Sequence, residues 1–284
     1  AANTSALAAK IPISNPDRRQ PLNHSGTAAI CSANAGSYTI TNLSGVSIAD
    51  GSNGGLASNY TLTGGTHNFT VNQRAISLSG TRLYDATTNA AASDLSTMAN
   101  LVGSETLTLS GTGSIASANV SSNKTVTTGT LALADGSNGG LAANYTLSGG
   151  THQLTVNQRP LIATLARQYD ATTTAAGSDL SSFNDLQGGE TLSVSGSGTA
   201  TSANVANSIA MANNGTLALA DGTGLASNYS LNSTIINISQ RVLSSSGSKI
   251  YDANTDAIAA NITLSNLASS EPLNHSGTAS IGSA

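Results

Sequence analysis

Along much of this chain, apolar residues take every second position. In "AISLSGTRLY" Ile76 and Leu78 stand between polar neighbours. "ETLTLSGTG" sets Leu107 and Leu109 on one face, and "KTVTTGTLALADG" sets Val126, then Leu131 and Leu133. "NYTLSGG" and "HQLTVNQ" follow in the same manner. A period of two predicts strands, with Thr and Ser on the alternate face. Gly, Asn and Asp gather between the runs, where turns need positive φ or an Asx bond. One stretch departs from alternation. "SDLSTMANLV" spaces Leu95, Met98 and Val102 as a short helix capped by Ser93, and "SDLSSFNDL" echoes it with Leu180, Phe183 and Leu186.

The pattern recurs with a long period. "YDA" places Tyr84, Tyr169 and Tyr251, spaced by 85 and 82 residues. "NY" places Tyr60, Tyr145 and Tyr229, "QR" places Arg74, Arg159 and Arg241, and "ADG" places Asp50, Asp135 and Asp221. "SAN" opens at Ser32, Ser117 and Ser202. Self-similarity at a fixed step is the mark of a repeat architecture. The steps divide the chain into a partial module at 1–74, complete modules at 75–159 and 160–241, and a partial module at 242–284. Residues 1–33 also match residues 252–284, with 20 identities in 33 positions. That match implies a higher-order repeat of three modules and a segment of a longer array.

Five to seven short strands in about 85 residues predict an all-β fold, a small antiparallel sandwich of immunoglobulin type. A β-solenoid is the alternative, but its coils repeat at about 20–30 residues, and no such inner period is present. The junction "THQLTVNQRPLIATLARQYD" holds no Gly/Ser linker. One module's last strand is therefore expected to feed directly into the next module's first, giving a stiff rod. Pro160 marks one junction, while Ala75 and Val242 stand at the others.

Composition narrows the function. Of 284 residues, 8% are charged and 3% aromatic, and the formal net charge is -4. Lys and Arg are scattered singly, which argues against a nucleic-acid surface. No apolar run is long enough to span a bilayer. Cys31 is the only cysteine, so no disulfide forms within the chain.

Candidate chemistry is thin. Tyr84, Tyr169 and Tyr251, each followed by Asp (85, 170, 252), read as buried rings with bonded hydroxyls and Asp-ordered turns. Tyr60, Tyr145 and Tyr229 suit a tyrosine corner. The "ADG" loops offer one carboxylate each, short of the several that calcium prefers, so turns are the better reading and Ca²⁺ the lesser one. No other cofactor is implied. His24, His67, His152 and His275 stand alone, without metal-ligand spacing. Glu105, Glu190 and Glu271 share one module position, where the first fragment has Gln20; that exchange sits poorly with acid catalysis. An intramolecular Lys–Asn crosslink fails on Lys124, whose counterpart is Ile209. No catalytic, cofactor or metal residue is assigned.

"YDATT", "VGSETLTLSGTG", "ANVSSNKTVTTGTLALADG" and "NYTL" follow in order. This order resembles the YDG-type repeat of large bacterial secreted and surface proteins of filamentous-haemagglutinin-like type, although Tyr-Asp-Ala stands here for Tyr-Asp-Gly. The resemblance implies a non-catalytic, extracellular segment of a Gram-negative adhesin or fibre, acting as stalk or weak multivalent adhesive. Its partners would be neighbouring modules, other copies in a filament, or surface glycans and proteins. The alternatives are a self-assembling filament or matrix subunit joined by strand pairing through edges such as "KTVTTGTLAL", and a carbohydrate-binding module, which the scarcity of aromatics disfavours.

Overall fold

The computed structural model describes residues 22–269 and 271–282, and the backbone of the short strand Ser5–Leu7. The chain is all-β. Its only helices among the described residues are single 3-10 turns such as Ala57–Asn59 and Ala142–Asn144. Contacts divide it into two compact units: Ala1–Thr81 with Thr88–Ala116 and Asn123–Thr155, and Arg82–Thr87 with Ser117–Ser122 and Val156–Ala284.

The first unit begins with strand Asn23–Ala29, paired antiparallel with Val46–Ala49 and with Ser5–Leu7. Gly36–Thr39 pairs with Asn68–Val71. Ala28, Ile30 and Ile40 form a small core, packed by Tyr38, Phe69 and Val71. Most of a six-stranded sheet follows, ordered Asn89–Ala91, Thr112–Ile115, Ser121–Thr127, His152–Asn157, Ser77–Leu83, Thr97–Ala99.

The second unit holds the counterpart sheet, ordered Thr174–Ala176, Ser197–Ala200, Ala206–Asn213, Tyr229–Ser239, Arg159–Gln168, Leu180–Phe183. Alternation decides its core. In Arg159–Gln168, Leu161, Ala163 and Leu165 point inward and are fully buried. Leu165 meets Ala175, Ala200, Ile209, Ile236 and Ile238. Burying an aliphatic side chain of the size of Leu or Ile stabilises by about 1.5–3 kcal/mol; the six buried residues all lie on strands of this sheet, and Tyr169, Leu180, Met211 and Leu217 pack against them. A separate antiparallel pair, Leu192–Ser195 with Ala218–Asp221, accompanies it, as Leu107–Ser110 with Ala132–Asp135 accompanies the first sheet.

Two expectations are corrected. The stretch from Ser93 to Val102 is no helix. It makes a 3-10 turn, Ala92–Asp94, and then strand Thr97–Ala99; the later copy makes Gly177–Asp179 and Leu180–Phe183. The N-cap is Ala91 and not Ser93, and the Asp94 carboxylate reaches back to accept from the Ala91 N–H at 3.1 Å. A single turn gains too little to nucleate a helix, whereas pairing of Thr97–Ala99 with Ser77–Leu83 satisfies the backbone. Nor is the sheet wholly antiparallel. Arg159–Gln168 and Tyr229–Ser239, the first and last strands of one repeat, lie side by side in parallel from Arg159↔Tyr229 to Gln168↔Ser239. Parallel first and last strands bring the chain out of the repeat at the end of the sheet opposite to its entry. The junctions are short, with only Gln158 between strands His152–Asn157 and Arg159–Gln168.

Candidate functional site

The residues that recur at the long period meet where one repeat joins the next. Strands Ser77–Leu83 and Arg159–Gln168 each run into a Tyr-Asp-Ala turn. Asp85 Oδ1 accepts from the Thr87 N–H and hydroxyl at 2.9 and 3.0 Å, and Asp170 does the same with Thr172. Asp252 accepts from the Asn254 N–H. Arg82 pairs with Asp85 and Arg167 with Asp170, while Lys249 sits 2.9 Å from Asp252 and holds that carboxyl below its ordinary range. The turns order themselves and fix the preceding tyrosine.

That tyrosine reaches the following repeat. Tyr84 is buried, and its hydroxyl donates to Glu190 Oε1 at 2.6 Å. The other oxygen of Glu190 accepts from Tyr229 of its own repeat at 2.5 Å. The two rings stack edge to face, centroids 5.3 Å apart. The Gln187 N–H donates to the Tyr229 oxygen at 3.1 Å. Desolvation, reinforced by the hydrogen bond to Glu190, pushes the Tyr229 hydroxyl up to about 12 and that of Tyr84 higher still. Both carboxylate oxygens of Glu190 are thus taken up by hydroxyl donors. One repeat earlier, Tyr145 donates to Glu105 and accepts from the Val102 N–H at 3.0 Å. One repeat later, Tyr169 donates to Glu271.

A second clasp flanks the first. Asn228 is 1% exposed; its Nδ2 donates to Asn119 Oδ1 at 3.0 Å and its Oδ1 accepts from the Val120 N–H at 2.9 Å. Asn144 makes the same pair of bonds to Asn34 and the Ala35 N–H. Gln73 and Gln158 donate to the carbonyls of Ala143 and Ser227. The arginines close the set. Arg159 donates to the Tyr84 carbonyl and pairs with Asp185; Arg241 donates to the Tyr169 carbonyl and to Asn266; Arg74 donates to Asn100. Asn100, Asp185 and Asn266 all hold positive φ, a conformation that Asn and Asp tolerate.

The sequence profile of the YDG domain matches residues 66–153 and again residues 151–236, together more than half of the chain. The chain belongs to the YDG domain family. Neither curated proteins nor solved structures give a match. In these YDG repeats the third residue of the signature is alanine, and the structure shows what that position asks for: Ala86, Ala171 and Ala253 have φ of 60°, 64° and 56°. Glycine adopts that region without strain and alanine does not.

Other residues singled out in the sequence have local roles in the YDG repeats. Asp50, Asp135 and Asp221 each accept from a backbone N–H at 2.7 Å, those of Ala57, Ala142 and Ala226, and so brace the 3-10 turns ahead of the "NY" tyrosines. Among the described residues no three His, Cys, Asp or Glu gather for a metal ion. His152 is buried, with Nε2 against the Leu147 carbonyl at 2.9 Å and Nδ1 against the Leu78 N–H, which places its proton on Nε2. His67 makes the matching contact to Leu62, and His275 contacts the carbonyls of Ala259 and Ile262. Ile209, opposite number of Lys124, belongs to the core. Cys31 is exposed and free. Gln20 lies outside the described residues. Tyr60 is exposed, unlike Tyr145 and Tyr229.

Sequence reasoning found Tyr, Asp, Asn, Arg and Glu as landmarks but assigned no bond between repeats. Their common step was the available signal. What it lacked was the fact that Tyr84 and Glu190, 106 positions apart, are neighbours.

Proposed function

We propose that this chain is a non-catalytic stretch of a bacterial extracellular adhesin or fibre, of filamentous-haemagglutinin-like type on a Gram-negative surface, and that its work is mechanical spacing with weak multivalent adhesion at most. One observation carries the reading. The first and last strands of a repeat lie parallel, so the chain enters at one end of the sheet and leaves at the other. Ten residues at about 3.3 Å each advance it by about 33 Å per repeat. Junctions without slack, bridged by tyrosine–glutamate and asparagine–asparagine bonds, pass load from one repeat to the next. We also read each repeat as a sandwich, its second layer being pairs such as Leu192–Ser195 with Ala218–Asp221; burial of Leu192 and Val194 supports this.

Small-angle scattering tests the spacer. The maximum dimension is expected to grow by about 30–40 Å with each repeat added, with a Kratky plot free of the plateau of a hinged chain. Dimensions that grow as the square root of repeat number would remove the proposal.

A further inference from the structure

The first and last strands of the complete repeat 160–241 are Arg159–Gln168 and Tyr229–Ser239. They are hydrogen-bonded neighbours in parallel, without a register shift from Ile162↔Ser233 to Gln168↔Ser239. The Tyr169 N–H adds a further rung, donating to the Ser239 carbonyl at 2.9 Å. Only Gln158 separates this first strand from the last strand of the repeat before. Tension in the chain therefore enters at Arg159 and leaves beyond Ser239, at opposite ends of the ladder. A pull between those points slides the two strands past each other along their length.

We infer that this ladder is a force clamp, and that a repeat resists tension along the chain through the shear of its own first and last strands. Strands drawn apart from the same end peel, and their rungs break one after another. Strands drawn from opposite ends load the evenly spaced rungs of a parallel pair together. The ladder also lies inside the six-stranded sheet, flanked by Leu180–Phe183 on one side and Ala206–Asn213 on the other. Leu161, Ala163, Leu165, Ile236 and Ile238 are buried on its inner face. On that face a stretched bond finds no water to replace it. Pro160 fits the same device. Alternation turns the N–H of every second residue of Arg159–Gln168 away from Tyr229–Ser239. That of Ile162 goes to Asn184 Oδ1 at 2.5 Å. Pro160, two residues earlier, thus removes no donor from the ladder.

The other complete repeat, 75–159, carries the same clamp with a break in it. Its first and last strands also run parallel: the Leu78 N–H donates to the Thr151 carbonyl and the Tyr84 N–H to the Asn157 carbonyl. The Ile76 N–H, however, goes to the Thr146 carbonyl, so between these two rungs the last strand loops out through a turn closed by the Gly150 N–H and the Leu147 carbonyl. In 160–241 the same stretch is one unbroken strand of 11 residues. The clamp deepens the spacer reading and rests on it only for the source of the load.

Optical tweezers test the clamp on the full 284-residue chain, with Cys31→Ser and pairs of new cysteines for the handles. Gln73, Gln158, Ser227 and Gln240 are exposed. Handles on Gln158→Cys and Gln240→Cys pull the ladder in shear. Handles on Gln158→Cys and Ser227→Cys peel it from one end. Forced unfolding follows the barrier and not the equilibrium, so two variants with the same urea midpoint differ only in the direction of pull. The shear pair should rupture at a force at least about threefold above the peel pair, releasing about 250 Å of chain. Handles on Gln73→Cys and Gln158→Cys should open repeat 75–159 at a lower force than shear opens 160–241. Equal forces in shear and peel overturn the inference. So does a force for 75–159 that equals or exceeds that of 160–241. Either result leaves the dimensions seen in scattering untouched, whereas square-root growth there would remove the spacer and leave the ratio of forces standing.

Discussion

At the scale of single residues, the Tyr-Asp-Ala turn is the place where this chain departs from its family and bears a cost. Ala171 has φ of 64°, with Asp170 tied to Thr172 on one side of it. An L-residue there costs about 1–2 kcal/mol, and glycine gives back part of the relief through the entropy of the unfolded chain. Ala171→Gly should therefore raise stability by about 0.5–1 kcal/mol, read as a higher urea midpoint at unchanged slope. A lower midpoint would show that the alanine methyl makes a compensating contact. The departure from Gly was visible in the sequence; that the position is left-handed was not, because Ala gives no sign of it.

At the scale of elements, the asparagine before each "NY" tyrosine decides how a 3-10 turn meets the loop of the previous repeat. Asn228 is buried with both ends of its amide bonded. Removing it strands the Val120 N–H and the side-chain Oδ1 of Asn119. Asn228→Ala should cost about 2–3 kcal/mol. Asn59, at the same repeat position but exposed, provides the internal control; Asn59→Ala should change stability by less than about 0.5 kcal/mol. Equal losses from the two, in denaturant unfolding, would mean that the clasp contributes little. Sequence placed both asparagines in one column. Only burial separates them, and burial depends on which neighbour is present.

At the scale of the whole molecule, stability is shared across junctions. Glu190 holds hydroxyls from two successive repeats, so their titration is a property of the array. In the unfolded chain a tyrosine loses its proton near pH 10. In the folded chain Tyr229 keeps it to about 12, and Tyr84 is raised further. Above the unfolded value the unfolded state binds fewer protons, so stability is full below about pH 9 and falls as pH climbs from 10 toward 12. Urea midpoints should be flat from pH 7 to 9 and then drop, and Tyr84→Phe with Tyr229→Phe should flatten that drop. A midpoint unchanged through pH 11.5 would show the hydroxyls to be free of the bridge.

Alternation in runs such as "AISLSGTRLY" determined the strands, and the recurrence of Tyr84, Tyr169 and Tyr251 determined the repeats, because side-chain period and repeat step are properties of the chain alone. The helix expected near Leu95 failed because Leu95 and Met98 are drawn instead into a turn and a strand paired with Ser77–Leu83. Whether Arg159–Gln168 runs parallel or antiparallel to Tyr229–Ser239 leaves no trace in either strand, since both arrangements bury the same faces. That choice, and the meeting of Tyr84 with Glu190, belong to tertiary structure: they depend on where the chain must go next and on which repeat stands beside it.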